Sequence, residues 1–144
     1  MLGYASVMIA AGIGIPVMAA CSAALGRHLG NPILAASIMF SGALVVAVTT
    51  LLIQGNIPWS KLATSPKYYL FGGVFIAFYV LSITFVAPKF GVGNAVFFVL
   101  LGQLVSTVII DHFGFLGARV TPLDGIRLLG ILFMSVGIWL TQKG

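Results

Sequence analysis

Residues able to do chemistry are scarce in this chain. Its acidic side chains number two, Asp111 and Asp124, and there is no Glu. Asp111 is followed by His112, and adjacent residues on a helix point about 100° apart, so they do not form a ready metal pair. Two roles suit Asp111: ending a helix or pairing with a loop cation, or, together with His112, holding a proton in transit. The lone cysteine, Cys21, excludes a disulfide framework within the chain and reads as a small apolar packing residue. His-Glu-x-x-His, Gly-x-Ser-x-Gly and Cys/His clusters at metal-ligand spacing do not occur. No catalytic residue, cofactor or metal site is therefore expected, and the chain does not read as an enzyme.

Uncharged polar groups offer more. Gln103, Ser106, Thr107 and Asp111 share a broad helical face of about 140°, whereas Asn94, nine residues before Gln103, falls on the opposite face. Tyr79 and Ser82 lie on a stripe with Gly72, Phe75 and Val86. In an apolar chain such groups persist where protein or water shelters them, so Gln103 and Tyr79 are the preferred pair for lining a substrate cavity. Hydrogen bonding of Gln103 between helices is the alternative. Pro16 removes a backbone hydrogen bond and clashes with the carbonyl of Gly12. With Gly12 and Gly14 it predicts a kinked or locally unwound stretch, the kind of backbone that transporters use to build a site; an ordinary packing kink is the alternative. Gly14, Pro16, Tyr79, Ser82, Asn94, Gln103 and Ser106 are therefore cavity candidates.

The elements that must position these groups follow from composition. Of 144 residues, 60% are apolar and only 6% are charged, against roughly 25% charged in a soluble domain. The surface must face lipid, and about 20 apolar residues cross it. Five such helices are expected, at approximately 2–25, 33–53, 69–87, 92–110 and 122–140, forming one domain over 1–144. No basic start precedes the first span, which reads as a retained helix rather than a signal peptide. Gly30 suits a helix end, Asn31 a cap and Pro32 a first helical position. Residues from Gln54 onward form a loop with Trp59, Tyr68 and Tyr69 in the aromatic belt, and Pro88-Lys89 ends the third span. Thr121 reads as the cap and Pro122 as the first residue of the fifth helix, with Arg127 snorkelling to the interface. Gly125, Gly130 and Gly137 could allow close packing at a dimer interface.

Five spans place the termini on opposite sides. Lys61, Lys67, Arg119 and Arg127 then share the amino-terminal side, and Arg27, Lys89 and Lys143 the other. Orientation follows the Lys/Arg imbalance, and four against three is almost none. Insertion in both orientations and pairing as an antiparallel homodimer are expected; a single orientation with the amino terminus inside is the alternative. Basic residues are scattered, with no clustered face for nucleic acid.

Several segments also resemble a known family. Gly14-Ile15-Pro16, Ala24-Leu25-Gly26-Arg27-His28-Leu29-Gly30, Pro32 and the stretch from Ala35 to Gly42 are similar to the first two helices of the YdcZ-type inner-membrane family. Gly93-Asn94-Ala95, Gly102-Gln103-Leu104 and Ile110-Asp111-His112-Phe113-Gly114 continue the likeness, and Pro122-Leu123, Arg127, Gly130 and Gly137-Ile138 complete it. That family lies within the drug/metabolite transporter superfamily, whose five-helix members occur singly, in pairs, or fused into ten-helix chains with inverted halves. The resemblance implies an antiparallel dimer of ten helices. Ser22 stands where the resemblance leads one to expect Asn, and it joins the cavity candidates. The membrane Glu of the related small multidrug exporters is missing, so their exchange of cation for proton is not implied.

The expectation is an all-α membrane protein of five transmembrane helices in a bacterial inner membrane. It would work by alternating access as an antiparallel homodimer, its cavity lying between the first, third and fourth helices, and would export a metabolite or drug-like small molecule. A non-transporting accessory subunit, or one half of a heterodimeric pair, is the other reading.

Overall fold

The computed structural model describes residues 2–141 and 143. Among them the elements are all helical: α1 (Leu2–Leu29), α2 (Pro32–Gln54), a short α3 (Trp59–Thr64), α4 (Gly72–Phe90), α5 (Val92–Phe113) and α6 (Gly125–Thr141). Three-residue-per-turn segments at Lys67–Phe71 and Phe115–Gly117 lead into α4 and follow α5. The stretch expected as a loop after Gln54 is thus partly helical.

Local chemistry accounts for most of the boundaries, and corrects several. Asn31 caps α2 by accepting the Leu34 N–H at 3.1 Å, with Pro32 in the first turn, where its missing N–H costs nothing. Glycines in the left-handed region close α1, α2 and α5: Gly30 (φ 62°), Gly55 (φ 72°) and Gly114 (φ 64°). α1 therefore runs on to Leu29 rather than stopping near Leu25. Pro16 lies inside it without interrupting the helix, so the backbone there is not unwound. Pro88 does not end α4 either. Near the last turn it removes a single bond, and the helix continues to Phe90 before Gly91. α6 starts three residues later than Pro122. Asp124, not Thr121, is its cap: its Oδ1 accepts the Arg127 N–H at 2.7 Å and its carbonyl accepts that of Leu128 at 3.0 Å. A carboxylate at this position also suits the positive end of the helix dipole.

Four stretches are long and apolar enough to cross a membrane: Gly3–Leu29, Pro32–Gln54, Lys67–Phe90 and Val92–Phe113. α6 is apolar but has 17 residues, about 25 Å at 1.5 Å per residue, at the short limit for a span.

The chain forms two compact units, residues 1–92 and 93–144. In the first, α1, α2 and α4 pack against one another. The packed face of α1 is a run of small residues at helical spacing: Ala19, Ser22, Ala23 and Gly26 are all buried. It meets Ala35 and Ala36 of α2 and Val80, Ile83, Thr84 and Ala87 of α4. The buried face of α4 is therefore not the Gly72–Phe75–Tyr79–Ser82–Val86 stripe, of which Phe75 remains 73% exposed. Small residues let backbones approach closely, as packing in lipid requires. At Gly26 a Cβ would lie 3.4 Å from the Thr84 methyl and 3.5 Å from the Pro32 Cα.

One polar bond crosses this apolar contact. The Thr84 hydroxyl donates to the carbonyl of Val80 at 2.7 Å, which leaves its oxygen to accept from Ser22 Oγ at 2.5 Å. Both side chains are fully buried. Interhelical bonds of this kind contribute about 0.6 kcal/mol on average, up to about 1.7. Ser22→Ala and Thr84→Val should each lower unfolding stability in bicelles by about 1 kcal/mol, and the double substitution by little more than either alone. Additive losses would show that the two hydroxyls do not act as a pair.

Candidate functional site

The second unit contains α5, α6 and the connection between them, and its polar groups converge on that connection. Asp111 lies in the last turn of α5. Its carboxylate accepts from Arg127, in the first turn of α6, at 2.5 Å; the two side chains are 28% and 25% exposed. The same guanidinium donates to the carbonyl of Thr121 at 2.7 Å. The Asp111 carbonyl accepts the Thr121 N–H at 2.9 Å. His112 Nδ1 accepts the Leu123 N–H at 3.1 Å, which requires the neutral ring with its proton on Nε2.

This latch accounts for each member of the Asp-His-Phe-Gly run. Asp111 and His112 bind the returning chain, and the Phe113 ring stacks on Phe115 at 5.3 Å between centroids. Gly114 makes the left-handed turn with the Val120 side chain so close that a Cβ would lie 2.7 Å from it. Arg127 is held here by the Asp111 carboxylate and the Thr121 carbonyl. The predicted ion pair of Asp111 thus involves a cation on the next helix, not one in the loop.

Beyond the latch α5 and α6 flank a cleft of about 440 Å³. Phe97, Leu100, Leu104, Met134 and Ile138 form most of its wall, with Gly137 on the α6 side. Gln103, Thr107 and Thr141, all three exposed, are the polar residues along it, and its lining is almost wholly apolar. Gln103 lies midway along the 22 residues of α5. Thr107 donates to the Gln103 carbonyl at 2.7 Å and Thr141 to that of Ile138 at 2.6 Å. These bonds are internal to their helices and leave the hydroxyl lone pairs available. Thr107 and Thr141 were not singled out as cavity residues, although the spacing of Thr107, four beyond Gln103, places both on one face.

The other sequence candidates are dispersed. Ser22 is buried against Thr84, a partner with no marker in the sequence beyond its hydroxyl. Tyr79, in the first unit, has its hydroxyl enclosed without a hydrogen-bond partner among the described residues. Ser82 lines a shallow depression of the same unit with Pro32, Ile33, Leu81 and Phe85. Gly14 is exposed and Pro16 half-buried. In the second unit, Asn94 is half-buried, and exposed Ser106 donates to the Gly102 carbonyl at 2.6 Å. On α6, Gly130 and Gly137 share a face to within about 20°, while Gly125 lies about 140° from Gly130. A Cβ at any of the three would meet nothing within 4 Å. Among the described residues no three His, Cys or carboxylate groups come together as a metal set.

Arg127→Leu removes both guanidinium bonds of the latch, each worth about 1.5–3 kcal/mol when charge-assisted. Tryptic cleavage at exposed Arg119 should therefore accelerate in this variant, whereas Asp111→Asn, which keeps an acceptor, should have a smaller effect. Unchanged cleavage in Arg127→Leu would show that the connection holds without the latch.

No curated protein and no solved structure gave a match. The family model described as "Putative inner membrane exporter, YdcZ" matches residues 3–140. That match covers all the long apolar helices and the latch between α5 and α6, and the chain accordingly belongs to the YdcZ family of inner-membrane exporters, as a multi-pass membrane protein.

Proposed function

We propose that the protein exports a small molecule across a bacterial inner membrane, working by alternating access as an antiparallel homodimer of two five-helix chains. The observation that carries this reading is the α5/α6 cleft. Its volume suits a drug-sized ligand, and its one long polar side chain, Gln103, sits at mid-helix. In this reading α6 is the fifth span, an apolar helix of 17 residues with Arg127 in its first turn and Lys143 just beyond its other end.

The dimer is supported by charge. Lys61, Lys67, Arg119 and Arg127 stand against Arg27, Lys89 and Lys143, and a difference of one cation hardly biases insertion. Two inverted copies of one chain exchange roles when the site changes sides, as inverted repeats do within larger transporters. The outward- and inward-open states are then equal in energy without substrate, and a gradient alone sets direction.

In a Cys21→Ser background, single cysteines placed in the 56–66 connection and at Gly30 should each label from both faces of intact cells in comparable amounts. Labelling from one face alone would rule out the antiparallel homodimer and require an oppositely oriented partner chain.

A further inference from the structure

We propose that the α5/α6 cleft takes a neutral, largely apolar molecule bearing a hydrogen-bond acceptor such as a carbonyl, and discriminates against cations. This deepens the reading of the chain as an exporter and rests on it.

Charge comes first. A cation in a low-dielectric site needs a fixed negative partner. Both carboxylates of the sequence are already committed, Asp111 to Arg127 and Asp124 to the start of α6. Neither lines the cleft, and among the described residues no charged side chain does. An organic cation seated there would lose hydration and gain only aromatic and dipolar contacts.

Hydrogen bonding narrows the class further. Gln103 carries two N–H donors and an acceptor oxygen on one carboxamide, and among the described residues that carboxamide has no protein partner. Left in hydrocarbon at the middle of α5, it would be costly. The Thr107 and Thr141 hydroxyl protons are spent on backbone carbonyls. Among the described residues Gln103 is therefore the one donor that the cleft side chains have free, and the complementary ligand supplies the acceptor. The apolar wall fits the rest of such a molecule.

Gly137 provides the steric control. It lines the cleft, and a Cβ there meets nothing within 4 Å, so a larger side chain would grow into the cavity without disturbing the helices.

Benzophenone is neutral, apolar and carbonyl-bearing, and on irradiation it attaches to nearby C–H bonds. With the full-length protein in nanodiscs, the adduct should concentrate on Met134 and its α6 neighbours. It should fall about tenfold in Gln103→Leu, the loss of one hydrogen bond, and vanish in Gly137→Leu, with helix content unchanged in both. Excess tetraphenylphosphonium should leave the adduct intact. Displacement by that cation, adducts spread evenly over the lipid-facing helices, or an unchanged yield in Gln103→Leu would each overturn the assignment. Counterflow of benzophenone in proteoliposomes tests the exporter reading separately. Selective labelling without movement would remove transport and leave the binding class standing, whereas movement with cation displacement would do the reverse.

Discussion

In a bilayer the hydrocarbon supplies no hydrogen bonds, and the architecture here follows from that constraint. Each backbone amide has to be satisfied within its own helix. Long uninterrupted helices result, with reversals made at left-handed residues, glycines and Leu116, and at capping side chains. Asn31 and Asp124 complete the starts of α2 and α6. The same constraint governs side chains. Serines and threonines within α2, α4, α5 and α6 bond back to carbonyls of their own helix, so these hydroxyls add little polarity to the surfaces they occupy. Lys89 and Lys143 lie over the rings of Phe85 and Trp139, at 3.9 and 4.2 Å from the centroids, which shields charge near helix ends.

The two units meet the constraint differently. In the first, small residues replace large ones: Ala19, Ala23 and Gly26 let α1 approach α2 and α4, and dispersion at short range does what burial from water does in soluble proteins. In the second, α6 has no buried residue, and α5 and α6 flank a cleft instead of packing backbone to backbone. Polar contacts between chain segments gather at one end, around Asp111 and Arg127. An ion pair reinforced by backbone acceptors holds geometry where apolar contact is sparse. It therefore suits a helix pair that is joined at one end and flanks a cleft along the rest of its length.

Much of the helix layout was legible. Apolar runs and the Gly30-Asn31-Pro32 turn locate the helices, because length and capping act locally. The boundaries at Pro88 and Pro122 were not, for proline near a helix end is compatible with more than one register, and Thr121 and Asp124 are both residue types that cap helices. Asp111 could be read as an ion-pair residue from its scarcity. Its partner depended on how the connection folds. Gln103 stood out by type alone, whereas Thr84 and Thr141 did not, since a threonine in an apolar helix carries no mark of what faces it.

The sequence by itself determined that this chain lives in a membrane, roughly where its long helices run, and that no carboxylate is available in mid-span, because these depend on composition and on contacts within a few residues. Only the tertiary structure decided which faces pack, that Ser22 meets Thr84, that Asp111 closes on Arg127, and that Gln103 faces a cleft shared with α6. Each of those pairs residues sixteen or more positions apart or on different helices, and helical periodicity sets the direction of a side chain about its own axis without specifying what lies across from it.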